Sequence, residues 1–180
     1  MKTTRNFFLL VLFFLGFQAS FAQETPSPFR IGFHLRQLGG DFGMGAHADV
    51  PTGAKWPILR FAGTWQWMEI PGVQTGFETA SYATLRLGAA SKSFQIQDRI
   101  RAYGEGGLLS VFPSNELSGK DFQLGGYGLF GFEFFASQYG GSALFIELGA
   151  SSAGNDLDAE PGVPSFGAGF WVGAGLRLAL

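Results

Sequence analysis

From Phe29 onward, apolar and polar residues alternate with a period of two, and clusters of Gly, Pro, Ser, Asn and Asp interrupt the alternation. A period of two sends successive side chains to opposite faces of a strand, so the pattern predicts strands rather than helices. About eight are expected: Phe29–Gln37, Phe42–Val50, Trp56–Trp67, Phe77–Gly88, Phe94–Phe112, Phe122–Phe135, Ser142–Ala150 and Phe166–Leu180. In the last of these, Phe170, Val172, Ala174, Leu176, Leu178 and Leu180 share one face. Trp171, Gly173, Gly175, Arg177 and Ala179 share the other. The first segment sets Ile31, Phe33 and Leu35 against Arg30, Gly32, His34 and Arg36 in the same way. In the fifth and sixth segments the phase blurs, and a bulge is expected near Gly104–Gly107.

Alternation does not say which face is inside. A soluble lipocalin-like barrel has the same period with its apolar face inward, around a small apolar ligand. The placement of charge favours the inverse. Arg30, Arg36, Arg60, Arg86, Arg99, Arg101 and Arg177 fall within predicted strands, whereas Lys55, Lys92 and Lys120 fall at turns. A water-facing sheet would use Lys freely; the planar guanidinium fork suits enclosed ion pairs better. Asp49, Glu78, Glu105, Glu133 and Glu147 keep the same phase as their local Arg or Gly. Opposite charges enclosed together predict a salt-bridged lumen, because an unpaired charge there would be costly. Its expected members are Arg30, His34, Arg36, His47, Asp49, Arg60, Glu78, Arg86, Arg99, Arg101, Glu105, Glu133, Glu147 and Arg177. Inward glycines such as Gly43, Gly131, Gly149 and Gly175 would leave room for the long Arg and Glu chains.

The N-terminal stretch adds a compartment. Lys2 and Arg5 precede an apolar run from Phe7 to Phe17, and Ser20-Phe21-Ala22 is a small-x-small cleavage site. Residues 1–22 read as a secretory signal peptide, 23–28 as a short tail and 29–180 as one barrel domain. The apolar run falls short of the ~20 residues a membrane helix needs, and no other stretch reaches that length. An exported chain without such a helix can still live in a membrane as a closed β-barrel. A formal net charge of −2 gives no reason to expect a nucleic-acid partner. The chain has no cysteine, so no disulfide staples it.

An even strand number puts both termini on one side. The turns expected there, Pro51–Lys55, Ala89–Ser93 and Ala136–Gly141, are short. The opposite side would carry Leu38–Asp41, Met68–Gly76, Pro113–Asp121 and Ser151–Ser165, mostly longer. Outer-membrane barrels have short periplasmic turns and longer outside loops. Trp56, Trp65, Trp67, Phe112, Tyr139 and Phe166 lie near strand ends, where an aromatic girdle belongs.

Gly175-x-x-Leu178-x-Leu180 resembles the terminal-strand signal by which the barrel-assembly machinery recognises outer-membrane proteins. Gly173 stands where that pattern often has a polar residue, and Leu180 where it usually has an aromatic one. On this reading the last strand closes the barrel against the first and leaves no free edge. With Arg101–Gly107 (RAYGEGG) and Phe145–Ser151 (FIELGAS), the chain resembles small eight-stranded outer-membrane β-barrels of the OmpA transmembrane-domain and OmpX type. The resemblance implies an all-β, antiparallel, up-and-down transmembrane barrel in a Gram-negative outer membrane, possessing a porin-like wall. It further implies outer-membrane lipids and the assembly machinery as partners, with an extracellular ligand conceivable at the loops.

Three motifs point elsewhere and carry less. Gly126-x-Gly128-x-x-Gly131 matches a dinucleotide fingerprint, but that motif works only between a strand and a helix N-terminus. Asp156, Asp158 and Glu160 alternate like a calcium loop, yet the sixth position from Asp156 is Pro161 and the twelfth is Gly167. His47 and Asp49 share a face as a base and its orienter would, and some small barrels modify lipids. No Ser stands at matching spacing; Ser81 and Ser110 fall on the apolar phase. The expectation is therefore a structural or surface-interacting barrel with a largely plugged lumen, without cofactor, metal or catalysis. The alternatives are a ligand-binding soluble barrel and a lipid-modifying enzyme.

Overall fold

A computed structural model describes residues 29–53, 57–71, 76–136, 141–153 and 166–180. The signal-peptide, tail, Trp56, Tyr139 and acidic-loop readings lie outside those residues. Nine strands follow one another: β1 (Arg30–Leu38), β2 (Asp41–Val50), β3 (Ile58–Pro71), β4 (Phe77–Ala90), β5 (Phe94–Gln97), β6 (Ile100–Pro113), β7 (Gln123–Phe135), β8 (Ala143–Ala153) and β9 (Gly169–Ala179). Each pairs antiparallel with its sequence neighbour, except that β6 takes both β4 and the short β5 as partners on one edge. β1 pairs with β9 from Leu38↔Trp171 to Arg30↔Ala179, and the sheet closes into an up-and-down barrel of eight strands plus the extra β5. The Leu180 amide donates to the Phe29 carbonyl at 2.9 Å, extending that seam. Closure thus leaves the eight barrel strands without a free edge.

The alternation becomes two faces of opposite character. Phe33, Phe61, Leu85, Phe130, Leu148, Val172 and Leu176 project outward and are exposed. Arg36, Asp49, Arg60, Glu105, Glu133 and Arg177 project inward and are buried. The wall's outer surface is therefore apolar, and the buried charges lie inside it.

Several boundaries differ from the sequence reading. The segment Phe94–Phe112 is two strands, joined by a turn at Asp98–Arg99. No bulge occurs at Gly104–Gly107, where β6 keeps one register with β4 and with β7; the irregularity lies between Gln95 and Gln97 instead. β3 runs on to Pro71 and pairs with β4 as far as Phe77, well past Trp67, where its pairing with β2 ends. This two-stranded ribbon projects beyond the barrel rim. At the β1–β2 hairpin, Gly39 supplies the positive φ (57°) that the tight turn requires.

The outer rim at the loop end carries aromatic side chains. Phe42 stacks on Trp67 and Phe112 meets Phe122, each pair with centroids 6.4 Å apart, and Trp65 and Phe170 are exposed nearby. Phe166 departs from the girdle expected of it. It turns in against Tyr82, 5.7 Å between rings, and packs on the buried cluster.

Candidate functional site: a two-storey lumen

The interior half nearer the termini is an ion lattice. Asp49 on β2 holds Arg60 on β3 in a bidentate contact through one guanidinium edge, Nε to Oδ1 at 2.5 Å and Nη2 to Oδ2 at 2.9 Å. Arg60 Nη1 also donates to Glu105 Oε2 on β6 (2.5 Å) and to Glu147 Oε1 on β8 (3.2 Å). Arg30 on β1 reaches Glu133 on β7 at 2.9 Å and Asp49 at 3.3 Å. Arg177 on β9 bonds Glu133 and Glu147 and donates from Nε to His47 Nε2 at 3.0 Å. The Tyr103 hydroxyl donates to Glu147 at 2.6 Å and accepts from Arg177, and Tyr127 donates to Glu105 at 2.5 Å. Three cations, four carboxylates and two phenols are thus locked by charge-assisted bonds, the strong kind. The links join residues far apart in sequence, 103 positions for Arg30 and Glu133 and 87 for Arg60 and Glu147, and so fix the barrel's circumference.

The half nearer the loops is built differently. Leu38, Met68, Tyr82, Leu109, Val111 and Trp171 form an apolar and aromatic cluster. It is capped by Leu117, which the Pro113–Asp121 loop folds inward through a turn closed by the Leu117 amide on the Ser114 carbonyl (2.9 Å). Tyr82 donates to Asp41 at 2.6 Å. Between the storeys, Arg36 lies over Trp171 (4.0 Å to the ring centroid) and Arg86 lies over Trp171 (5.1 Å) and Tyr127 (5.2 Å). His34 Nε2 meets Thr64 Oγ1 at 2.9 Å.

Of the residues singled out from the sequence, Arg30, His34, Arg36, His47, Asp49, Arg60, Arg86, Glu105, Glu133, Glu147 and Arg177 are buried in the interior. Of these, His34, Arg36 and Arg86 make none of the ion pairs among the described residues, and three more of the residues singled out are not buried in the interior. Glu78 keeps the inward phase of β4 but sits on the projecting ribbon, beyond the rim, and is exposed. Arg99 occupies the exposed β5–β6 turn rather than a strand. Arg101 lies at the terminal mouth, partly exposed, over the Phe135 ring at 4.5 Å. Gly175 faces inward, whereas Leu178 and Leu180 are exposed on the outer face.

Inward glycines leave room for rings more than for Arg and Glu. A Cβ at Gly131 would strike the Tyr103 ring, one at Gly149 the Trp171 ring at 2.6 Å, and one at Gly175 the Phe145 ring at 2.7 Å. Tyr82, Tyr103, Tyr127 and Trp171 went unremarked as site residues. Their phase marked them, since Tyr103 alternates with Glu105 and Trp171 with Gly173, Gly175 and Arg177.

The structure does not bring His47 and Asp49 together as base and orienter. His47 Nε2 accepts from Arg177, and both Asp49 oxygens are taken by Arg60. Ser81 and Ser110 lie on the outward phase of β4 and β6. Gly126 and Gly128 face outward and Gly131 inward within β7, so they form no phosphate-cradling turn. No protein-family model and no curated protein matches this chain.

Proposed function

We propose that this protein is an integral outer-membrane β-barrel whose role is structural or surface-interacting, with a plugged lumen. One observation carries the reading. Large apolar side chains are exposed on the outward face of all eight barrel strands, for example Phe33 (48%), Leu85 (55%) and Leu148 (52%), while the charges inside are almost fully buried. Soluble monomers rarely expose contiguous apolar patches beyond a few hundred Å². Lipid is the solvent that suits such a wall, and a closed barrel is one of two folds that satisfy every backbone group within it. The aromatic side chains at the loop rim suit the level of lipid headgroups. A soluble ligand-binding barrel would need its apolar surface inside, and the lattice of Arg30, Arg60 and Arg177 occupies that space here. Eight strands enclose little more than their own side chains, so conduction is not expected. Interaction would fall to the loop end, at the projecting β3–β4 ribbon and the Pro113–Asp121 loop.

Heat modifiability tests the reading. The protein, expressed with its leader in a Gram-negative host, should fractionate with the outer membrane and require detergent for extraction. On SDS gels it should migrate differently before and after boiling. Recovery as a soluble periplasmic protein, with one mobility in both lanes, would sink the proposal.

A further inference from the structure

We propose that the level between the two storeys is a binding site for a small oxyanion, held between Arg36 and Arg86. Both guanidinium groups are enclosed, Arg36 at 2% and Arg86 at 4% exposure. Neither forms an ion pair among the described residues, where every interior pair uses Arg30, Arg60 or Arg177. Asp41, the carboxylate on the loop side, is engaged by Tyr82.

Hydrogen bonding repeats the imbalance. Nε and Nη1 of Arg36, Nε and Nη1 of Arg86, Trp171 Nε1 and both amide atoms of Gln66 have no partner, nor has Thr84 Oγ1. Buried polar groups are nearly always satisfied, so such a concentration points to a missing partner. These groups converge. Arg36 and Arg86 both face the Trp171 ring, Gln66 packs beside Gly43, which pairs with Arg36, and Thr84 precedes Arg86 by one inward position.

The chemistry of the orphans selects the ligand. Most are N–H donors, and four of them belong to the two guanidinium cations; only Gln66 Oε1 and Thr84 Oγ1 can accept. A water would satisfy donors without compensating charge, and a cation would be repelled. An oxyanion supplies several acceptors and a counter-charge, and the planar fork of Arg matches its geometry. Leu117 and Phe166 close the interior on the loop side, which suits a free ion of phosphate, sulfate or carboxylate type rather than a lipid headgroup. The inference holds whether the outer wall meets lipid or water.

The test uses the folded protein, in detergent micelles if it requires them, with its tryptophan indoles ¹⁵N-labelled. Sodium phosphate is titrated at constant ionic strength against sodium chloride. Trp171, identified by its absence in Trp171→Phe, should shift saturably with phosphate, and the thermal midpoint should rise with it. Sulfate or acetate producing the same shift also supports an oxyanion site. Arg86→Met should weaken the response about ten-fold or more, and Gln66→Leu, which keeps both charges, should weaken it less. If an Arg variant fails to fold, the Gln66→Leu titration decides. A Trp171 signal unmoved by any oxyanion, an equal response to chloride, or undiminished affinity in the folded variants would overturn the proposal.

Discussion

The two storeys of the lumen are enclosed by the same strands and solve the same problem, filling a narrow tube, by opposite means. Near the termini, Arg30, Arg60 and Arg177 meet Asp49, Glu105, Glu133 and Glu147, and every charged group but Glu105 is shared between two or more partners. Near the loops, Leu38, Met68, Leu109, Val111 and Leu117 pack as an ordinary apolar core. The difference lies in what removal of one member leaves behind. A lattice member withdrawn strands buried opposite charges. A core member withdrawn leaves a cavity, whose cost depends on how far the neighbours can relax.

Arg60→Met should therefore produce the largest loss, about 3–5 kcal/mol, because Asp49, Glu105 and Glu147 all lose a partner together. Reversible urea unfolding measures it, in detergent or bilayers if the protein requires them. A loss below that of a core truncation would mean that the lattice rearranges or admits water freely, and the contrast between storeys would fail. Leu109→Ala, buried at 1% in the loop storey, should cost about 2–4 kcal/mol by the cavity it opens. The same assay applies, and a loss within error of zero would mean that the loop storey is not a packed core.

How far these storeys were legible in the sequence follows from what each depends on. The strands and their faces were readable because Phe130, Phe132 and Phe134 alternate with Gly131 and Glu133, and side-chain direction is a local property of a strand. The β5–β6 turn escaped because Asp98 stands alone there, a single turn-favouring residue with no Gly, Pro, Ser or Asn beside it. A bulge was expected at Gly104–Gly107 because Gly104, Gly106 and Gly107 have no side chain to show a phase, not because the register slips. Which Arg meets which partner inside the barrel was not readable. Arg36, Arg60 and Arg86 look alike along the chain, yet Arg60 meets three carboxylates while Arg36 and Arg86 meet an indole. Which it is depends on height within a closed circumference, and that is set by register summed around every strand. Glu78 shows the same limit, since phase gave its face but not its height above the rim.

The smallest and sharpest test removes the same atom from each storey. Tyr127 stands among the lattice carboxylates and Tyr82 in the loop storey, and each hydroxyl donates to one carboxylate, Glu105 and Asp41 respectively. Replacement by Phe keeps the ring and deletes the donor, so packing is held constant. Tyr127→Phe leaves a Glu105 oxygen deep in the lattice without a donor and should cost about 1–3 kcal/mol. Tyr82→Phe should cost less, about 0.5–1 kcal/mol, because Asp41 adjoins the exposed Gly39–Gly40 turn and can exchange its lost bond for water. Paired unfolding curves give the difference directly. Equal losses would mean that the hydroxyl bond itself, not its depth in the lumen, sets the cost, and the two storeys would then differ in composition but not in energetic rule.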